Sequence, residues 1–335
     1  MIEIIQTAPG DKIFHLFEDL PNEIYPADSV RFKHSETISG QFLQSCFILI
    51  SENKVQARAS LYNNPYLSYQ NKKTFCIGNY ESVNTENISY QFISYLFAEA
   101  KKNGAEYLIG PMNGSTWDNY RFSIHHNYPN FFLEPYHHLY YNDHFLHAGF
   151  TVIAKYFSSI DTSLKYDNPD VIARENELKN SGVTFRNICL TEYKTELERL
   201  YEFNSIAFKK NFLYSPLGKD EFFKKYANTK NVIDPDFVIL AEDENKKLIG
   251  YFFCQHDFLN IKEKSLIIKT IARHPDKKWS GLGHVIGNMI YRKAVEKKYK
   301  SVIHAFMYED GTSTTISKYF SGNIYKDYVL FGKEI

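Results

Sequence analysis

Little in this chain singles out a nucleic acid, a membrane or an oxidising compartment. Lysine plus arginine and aspartate plus glutamate number 39 each among its 335 residues. No basic excess therefore draws it to nucleic acid or an anionic lipid surface, and neither partner is expected. Only four cysteines are present, Cys46, Cys76, Cys189 and Cys254. Their scatter gives no paired metal-ligand or redox spacing, and their apolar surroundings suit small hydrophobes in a reducing compartment. No apolar run approaches the roughly 20 residues that span a bilayer, and the N-terminal stretch lacks a basic-then-apolar signal pattern. The expected location is cytoplasmic. Tryptophan is scarce, with Trp117 and Trp279 alone against 26 tyrosines and 27 phenylalanines. Aromatics at 16% support large cores but identify no ligand.

The length exceeds that of one small core and points to two domains. In the first half, strands are expected at 2–5, 42–50, 55–62 and 74–80, and the apolar spacing of Ile88, Phe92, Ile93, Leu96, Phe97 and Ala100 predicts a helix over 87–102. A strand at 107–110, a long polar and aromatic loop, a short helix over 136–147 and a strand at 150–158 follow. Residues 161–182 are charged, lose apolar periodicity, and read as a linker. The second half repeats the order: a strand at 183–190, a helix over 197–209, a hairpin of 237–241 with 248–255, a strand at 265–272, a long helix from 282, and strands at 301–307 and 325–331. On the long helix, Leu282, Val285, Ile286, Met289, Ile290 and Ala294 form an apolar stripe, while Asn288, Arg292 and Glu296 are expected to face solvent.

The sharpest motif joins the strand at 265–272 to that helix: Arg273-His274-Pro275, then Lys278-Trp279-Ser280-Gly281-Leu282-Gly283-His284. A glycine-flanked helix start offers unpartnered N–H groups at the positive end of the helix dipole, which suits a phosphate. Set within the repeated strand order, this motif resembles that of the GNAT acyltransferase superfamily: a basic or amide residue, two free positions, Gly, one free position, then Gly or Ala. Lys278 takes the first position, where Arg or Gln is usual. The resemblance implies an α/β protein of two tandem GNAT-like domains, each a mixed, mostly antiparallel sheet flanked by helices. The domains would be residues 1–160, a degenerate unit on the acceptor side, and 183–335, which binds acyl-CoA. At the corresponding junction the first half has Gly78-Asn79-Tyr80-Glu81-Ser82-Val83-Asn84, with no second glycine at the required spacing and an acidic side chain where a phosphate would sit.

The resemblance further implies acetyl-CoA or another acyl-CoA as co-substrate and the amine of a small molecule or peptide as acceptor. Lys278, Trp279, Ser280, Gly281, Leu282, Gly283 and His284 would hold the pyrophosphate. Ile271, Ala272 and Arg273 would pair with the pantetheine as an added strand, a backbone N–H near Ile271 or Ala272 polarising the thioester carbonyl. The family's acid is a tyrosine four residues before a glycine in the last short helix; here Tyr319 stands three before Gly322, so it is either that acid or a packed tyrosine. Tyr308 and Glu309 lie where an acceptor would enter, as relay or loop residues. Asp310 and Ser313 either cap the short helix or reach the cofactor.

The loop after residue 110 is rich in hydrogen-bonding groups beside aromatics. Asn113, Trp117, Tyr120, Arg121 and Glu134 are candidates for an acceptor pocket, with Arg121 reading a carboxylate or Glu134 an ammonium. The competing reading is a loop held by its own hydrogen bonds. Six histidines between 125 and 147 lack a metal-ligand spacing, so no metal is expected. Two other functions fit the same motifs. One is a non-catalytic module binding acyl-CoA or a metabolite. The other is a Fem-like transferase using aminoacyl-tRNA, against which the neutral charge balance counts.

Overall fold

Hairpin turns and apolar alternation build the first half in the order β1 (Ile2–Thr7), α1 (Phe14–Ile24), β2 (Leu43–Ser51), β3 (Lys54–Tyr69), β4 (Lys72–Ser82), α2 (Glu86–Lys102), β5 (Tyr107–Gly110), β6 (Phe122–Ser123) and α3 (Tyr141–His147). Next come β7 (Thr151–Asp161), α4 (Pro169–Asn180), β8 (Thr184–Asn187), α5 (Tyr193–Ala207), α6 (Lys219–Tyr226), β9 (Val238–Glu242), β10 (Leu248–His256), β11 (Ser265–Arg273), α7 (Leu282–Glu296), β12 (Ser301–Tyr308) and β13 (Asn323–Glu334). The structure, a computed structural model, describes residues 1–33, 38–311, 314, 317, 319, 320 and 322–335.

The chain forms two units. The first holds Met1–Lys155, Leu213–Ser215 and Asp327–Ile335, and the second Tyr156–Phe212 and Pro216–Lys326. In the first, strands follow the order β1-β2-β3-β4-β5-β13; in the second, β7-β12-β11-β10-β9-β8. Both are mixed sheets, antiparallel apart from the pairs β4/β5 and β11/β12, which run parallel. A parallel pair needs a crossover, and α2 and α7 supply one each. Each crossover helix sinks its apolar stripe into its own unit's core: Phe92, Ile93 and Leu96 beside Phe75, Ile77 and Leu108 in the first, and Leu282, Val285, Ile286 and Ile290 beside Phe252, Leu266 and Ile268 in the second.

Two boundaries differ from the sequence reading. Residues 161–182 are not a linker, because α4 starts on Pro169 behind the Asn168 cap and buries Val171 and Leu178 in the second core. Its charges hid it. They are spent on α7, whose polar side is consequently covered: Asn288, 0% exposed, accepts from the Asp167 N–H at 2.8 Å and donates to its carboxylate at 3.1 Å. Arg292 ties Asp167 at 2.7 Å and the buried Glu175 at 3.0 Å. The second correction concerns the C-terminus. Residues 327–335 belong to the first unit, where they pair with β5 and β6 and bury Val329 and Phe331 in that core.

Three histidines are buried in their neutral form. Burial holds His137 down to about 3, and His144 and His304 to about 4. The His304 Nε2 meets the Tyr291 hydroxyl at 2.9 Å, and that hydroxyl donates to Asp161 at 3.1 Å. Unfolded histidine protonates near pH 6.5, so the stability these sites contribute is full above that pH and lost as pH falls toward the folded values. Urea unfolding is expected to show lower stability at about pH 5 than at about pH 7, and equal midpoints would contradict this. Asn288→Ala removes the acceptor of the Asp167 N–H and one donor to its carboxylate, leaving Arg292 on the latter, and should cost about 1 kcal/mol in the same assay.

Candidate functional site

In the second unit, β11 and β12 share a ladder from Ser265–Ser301 to Ile268–His304, and there it stops. Both strands bulge just past that level. Opposite β10 the register slips between Phe253 and Cys254, making Lys269 an extra residue on β11. Opposite β7 it slips between His304 and Met307, where Phe306 takes a φ of +58° and donates its N–H to Ser158 Oγ at 3.0 Å. A bulge bends its strand, so the two parallel strands part. Residues 270–273 stay paired with β10 on one edge, while their other edge lies beyond the ladder with β12. Ile271 presents its N–H and C=O on this edge, whereas Ala272, in register with His274 whose N–H bonds the Ile249 carbonyl, turns its own toward β10. The Lys269 ammonium lies 4.6 Å from the centre of the Phe306 ring at the parting.

The β11 strand runs straight into the glycine loop. Arg273 spends its guanidinium on the carbonyls of His274 and Asp276, at 2.8 and 3.0 Å, and the Asp276 carboxylate accepts from the Lys278 N–H. Trp279 packs into the second core under the Lys278 ammonium, 4.5 Å from its ring centre. Its indole and the fully buried Leu282 side chain pack in that core. Gly281 takes the left-handed conformation, φ +82°, that turns the chain into α7. The first intrahelical bond at that end runs from the Val285 N–H to the Gly281 carbonyl. The N–H groups of Leu282, Gly283 and His284 precede it and have no acceptor within the helix. Ser280 is exposed beside them.

Arg174 of α4 completes this loop, and no motif marked it. Its Nε donates to the Ser280 carbonyl at 3.0 Å and its Nη2 to the Lys278 carbonyl at 2.7 Å. The sequence signal was absent because residues 161–182 read as a linker.

Tyr319 stands against His284, with ring centres 4.9 Å apart. Its hydroxyl is buried and has no hydrogen-bond partner among the described residues, and burial together with nearby Asp170 raises its pKa, so it stays protonated. His284 is half-buried and held low by burial. Tyr308 is sandwiched between Phe212, 5.0 Å away and nearly coplanar, and Tyr156 at 5.4 Å, which makes it a packing residue. Glu309 and Asp310 are exposed in the turn after β12, and Ser313 lies outside the described residues.

The first unit repeats the parting. The ladder of β4 with β5 ends at Cys76–Ile109, and β4 bulges near Asn79, whose φ is +49°. Here the chain's own loop takes the freed edge. The Met112 N–H donates to the Ile77 carbonyl at 2.7 Å, and Asn113 Oδ1 accepts from the Asn79 N–H at 2.9 Å. Gly78 must be glycine beneath this loop, since a Cβ would sit 2.6 Å from Asn113 Oδ1 and 2.7 Å from the Met112 carbonyl. Glu81 does not face a phosphate position. It is buried, bonded by Arg31 at 2.9 Å and by the hydroxyls of Tyr25 and Tyr141 at 2.7 Å each.

Of the proposed pocket residues, Asn113, Tyr120 and Arg121 line a cavity of about 70 Å³ with Arg31, Tyr136 and His137. Trp117 and Glu134 do not line it. Trp117 donates Nε1–H to the Ser215 carbonyl at 2.9 Å, and buried Glu134 accepts from the Tyr328 hydroxyl at 3.0 Å, so both hold the loop region together. Among the described residues no cluster of three His, Cys, Asp or Glu side chains could hold a metal, and no helix is long and apolar enough to cross a membrane.

The second-unit site fits acyl-CoA on its donor chemistry. It offers a strand edge beyond its ladder, first-turn N–H groups behind a left-handed glycine, and a buried hydroxyl with no partner among the described residues.

No family model matches the sequence, and neither does any curated protein. Solved structures do. A probable N-acyltransferase from Enterococcus faecalis V583 is similar at TM-score 0.60 and 8% identity, over 100% of this chain and 73% of that one. A tandem GNAT protein from the clavulanic acid biosynthesis pathway matches at TM-score 0.57 and 11% identity, over 100% of this chain and 98% of that one. A third is the GCN5-related glucosamine N-acetyltransferase region of a fungal multi-domain β-N-acetylglucosaminidase, at TM-score 0.59 and 12% identity over 99% of this chain, which spans 38% of that protein's length. Identities this low speak for the fold alone, which is that of tandem GNAT proteins.

Proposed function

We infer that the chain is an acyl-CoA-dependent N-acyltransferase, with one cofactor site in its second unit and the amine of a small molecule or peptide as acceptor. The observation that carries this reading is the parting of β11 from β12 directly before a left-handed glycine at a helix start. When bound, acyl-CoA supplies an activated thioester carbonyl. The edge at Ile271 and Arg273 hydrogen-bonds an extended amide chain as a strand would, and the Ile271 N–H polarises that carbonyl. Gly281, Leu282, Gly283 and His284 present N–H groups to the pyrophosphate, which the helix dipole favours.

Acyl transfer also requires a proton for the departing thiolate and a base for the incoming ammonium. Tyr319 is assigned the first task. Its buried hydroxyl has no partner among the described residues and keeps its proton at neutral pH. Glu309, exposed past β12, is the carboxylate assigned to the acceptor side.

Calorimetry is expected to show one coenzyme A bound per chain, and thiol release from acetyl-CoA should follow addition of an amine acceptor. Binding without thiol release across a broad amine panel would make the chain a binding module instead. Gly283→Asp places a carboxylate at the anion site and should weaken coenzyme A binding by roughly 100-fold or more. Tyr319→Phe should lower kcat roughly tenfold or more, with KM for acyl-CoA within about twofold. A rise in KM with kcat unchanged would move Tyr319 from the acid to a cofactor contact.

A further inference from the structure

The guanidinium of Arg174 spans two carbonyls of the glycine loop, those of Lys278 and Ser280, and its third nitrogen is held by Glu177 at 2.9 Å. We propose that Arg174 is a positioning residue for the pyrophosphate, fixing and polarising the loop's peptide groups so that they act as anion donors. The proposal rests on the acyl-CoA reading of this site.

The geometry follows from the peptide bond. A trans peptide is planar with its C=O and N–H opposed. Holding the Ser280 carbonyl toward Arg174 therefore turns the Gly281 N–H away from the guanidinium, so that no cation competes with an anion for that donor. A cation bonded to a carbonyl also withdraws electron density from the attached N–H and makes it a stronger donor. The aliphatic stem contributes as well. A Cβ at Gly281 would lie 3.1 Å from Arg174 Cγ, so the stem packs directly on the left-handed turn.

Anchoring α4 is not Arg174's task. Asp167 with Asn288, and Arg292 with Glu175, already do that. Arg174 instead reaches the loop. Lysine would not replace it, because an ammonium is a point donor whereas the planar fork spans two carbonyls at once.

Calorimetry with coenzyme A and with acetyl-pantetheine, which lacks the pyrophosphate, tests this. Arg174→Ala should raise Kd for coenzyme A roughly tenfold or more while leaving acetyl-pantetheine within about twofold. Arg174→Lys should recover less than half of the loss. Glu177→Gln, which frees the guanidinium without removing it, should give a smaller rise of roughly two- to fivefold. Arg174→Ala binding coenzyme A like wild type would overturn the proposal. So would an equal loss for both ligands, which would make the residue a structural brace. Wild-type protein that binds no coenzyme A would overturn the acyl-CoA reading itself, and the clamp with it.

Discussion

Two parallel strands cannot stay hydrogen-bonded to each other and also receive a ligand between them, and this constraint organises the second unit. The β11/β12 ladder satisfies both backbones as far as Ile268 and His304, and past that pair β11 goes on pairing with β10 and β12 with β7. Backbone N–H and C=O groups left without partners are costly, at about 1–3 kcal/mol each when buried. An edge of that kind suits an extended ligand with alternating amide donors and acceptors. The bulges at Lys269 and near Phe306 make the parting abrupt rather than gradual. Because β11 then runs straight through Arg273 into the glycine loop, the strand edge and the helix start are continuous, and under the proposed function that run would take a long ligand with a phosphate at one end.

The first unit meets the same constraint with a different solution. Its parallel pair also parts beside a bulge, but Met112 and Asn113 supply the donor and acceptor that a ligand would otherwise bring. The Asn113 side chain bonds an N–H of β4 as a ligand carbonyl would. Glycine at position 78 lets this loop approach closely. The absence of a glycine loop before α2 and the self-filled edge are thus two parts of one arrangement.

Strand order, the two crossover helices and the glycine turn before α7 were legible because each is written locally, in turn residues, in apolar spacing or in a short glycine pattern. What the sequence concealed was long-range. Asn288 and Arg292 lie on the polar side of α7 and look solvated by spacing alone, yet Asp167 and Glu175 of another segment cover them. The same misreading removed α4 from view, and Arg174 with it. Trp117 and Glu134 stood out as unusual residues in a functional-looking loop, but their partners, the Ser215 carbonyl and Tyr328, lie about 100 and 190 positions away in sequence. The exchange of residues 327–335 into the first unit was hidden for the same reason, since apolar alternation marks a strand without saying which edge it joins.

The polar joint between α4 and α7 also explains how a segment with so little apolar surface holds Arg174 against the glycine loop. Packing of Val171 and Leu178 holds α4 on the core, but apolar contact resists sliding along a helix axis only weakly, and a single turn of slippage would move Arg174 by about 5.4 Å. Such a shift would take its fork off both loop carbonyls. Directional bonds prevent it. Asn288 engages both the N–H and the carboxylate of Asp167, and Arg292 engages that carboxylate and Glu175 at the same time, so only one register satisfies all of them. Replacing a buried polar pair with apolar residues often leaves stability unchanged. What it would lose here is registry, and the reach of Arg174 to Lys278 and Ser280 depends on that registry.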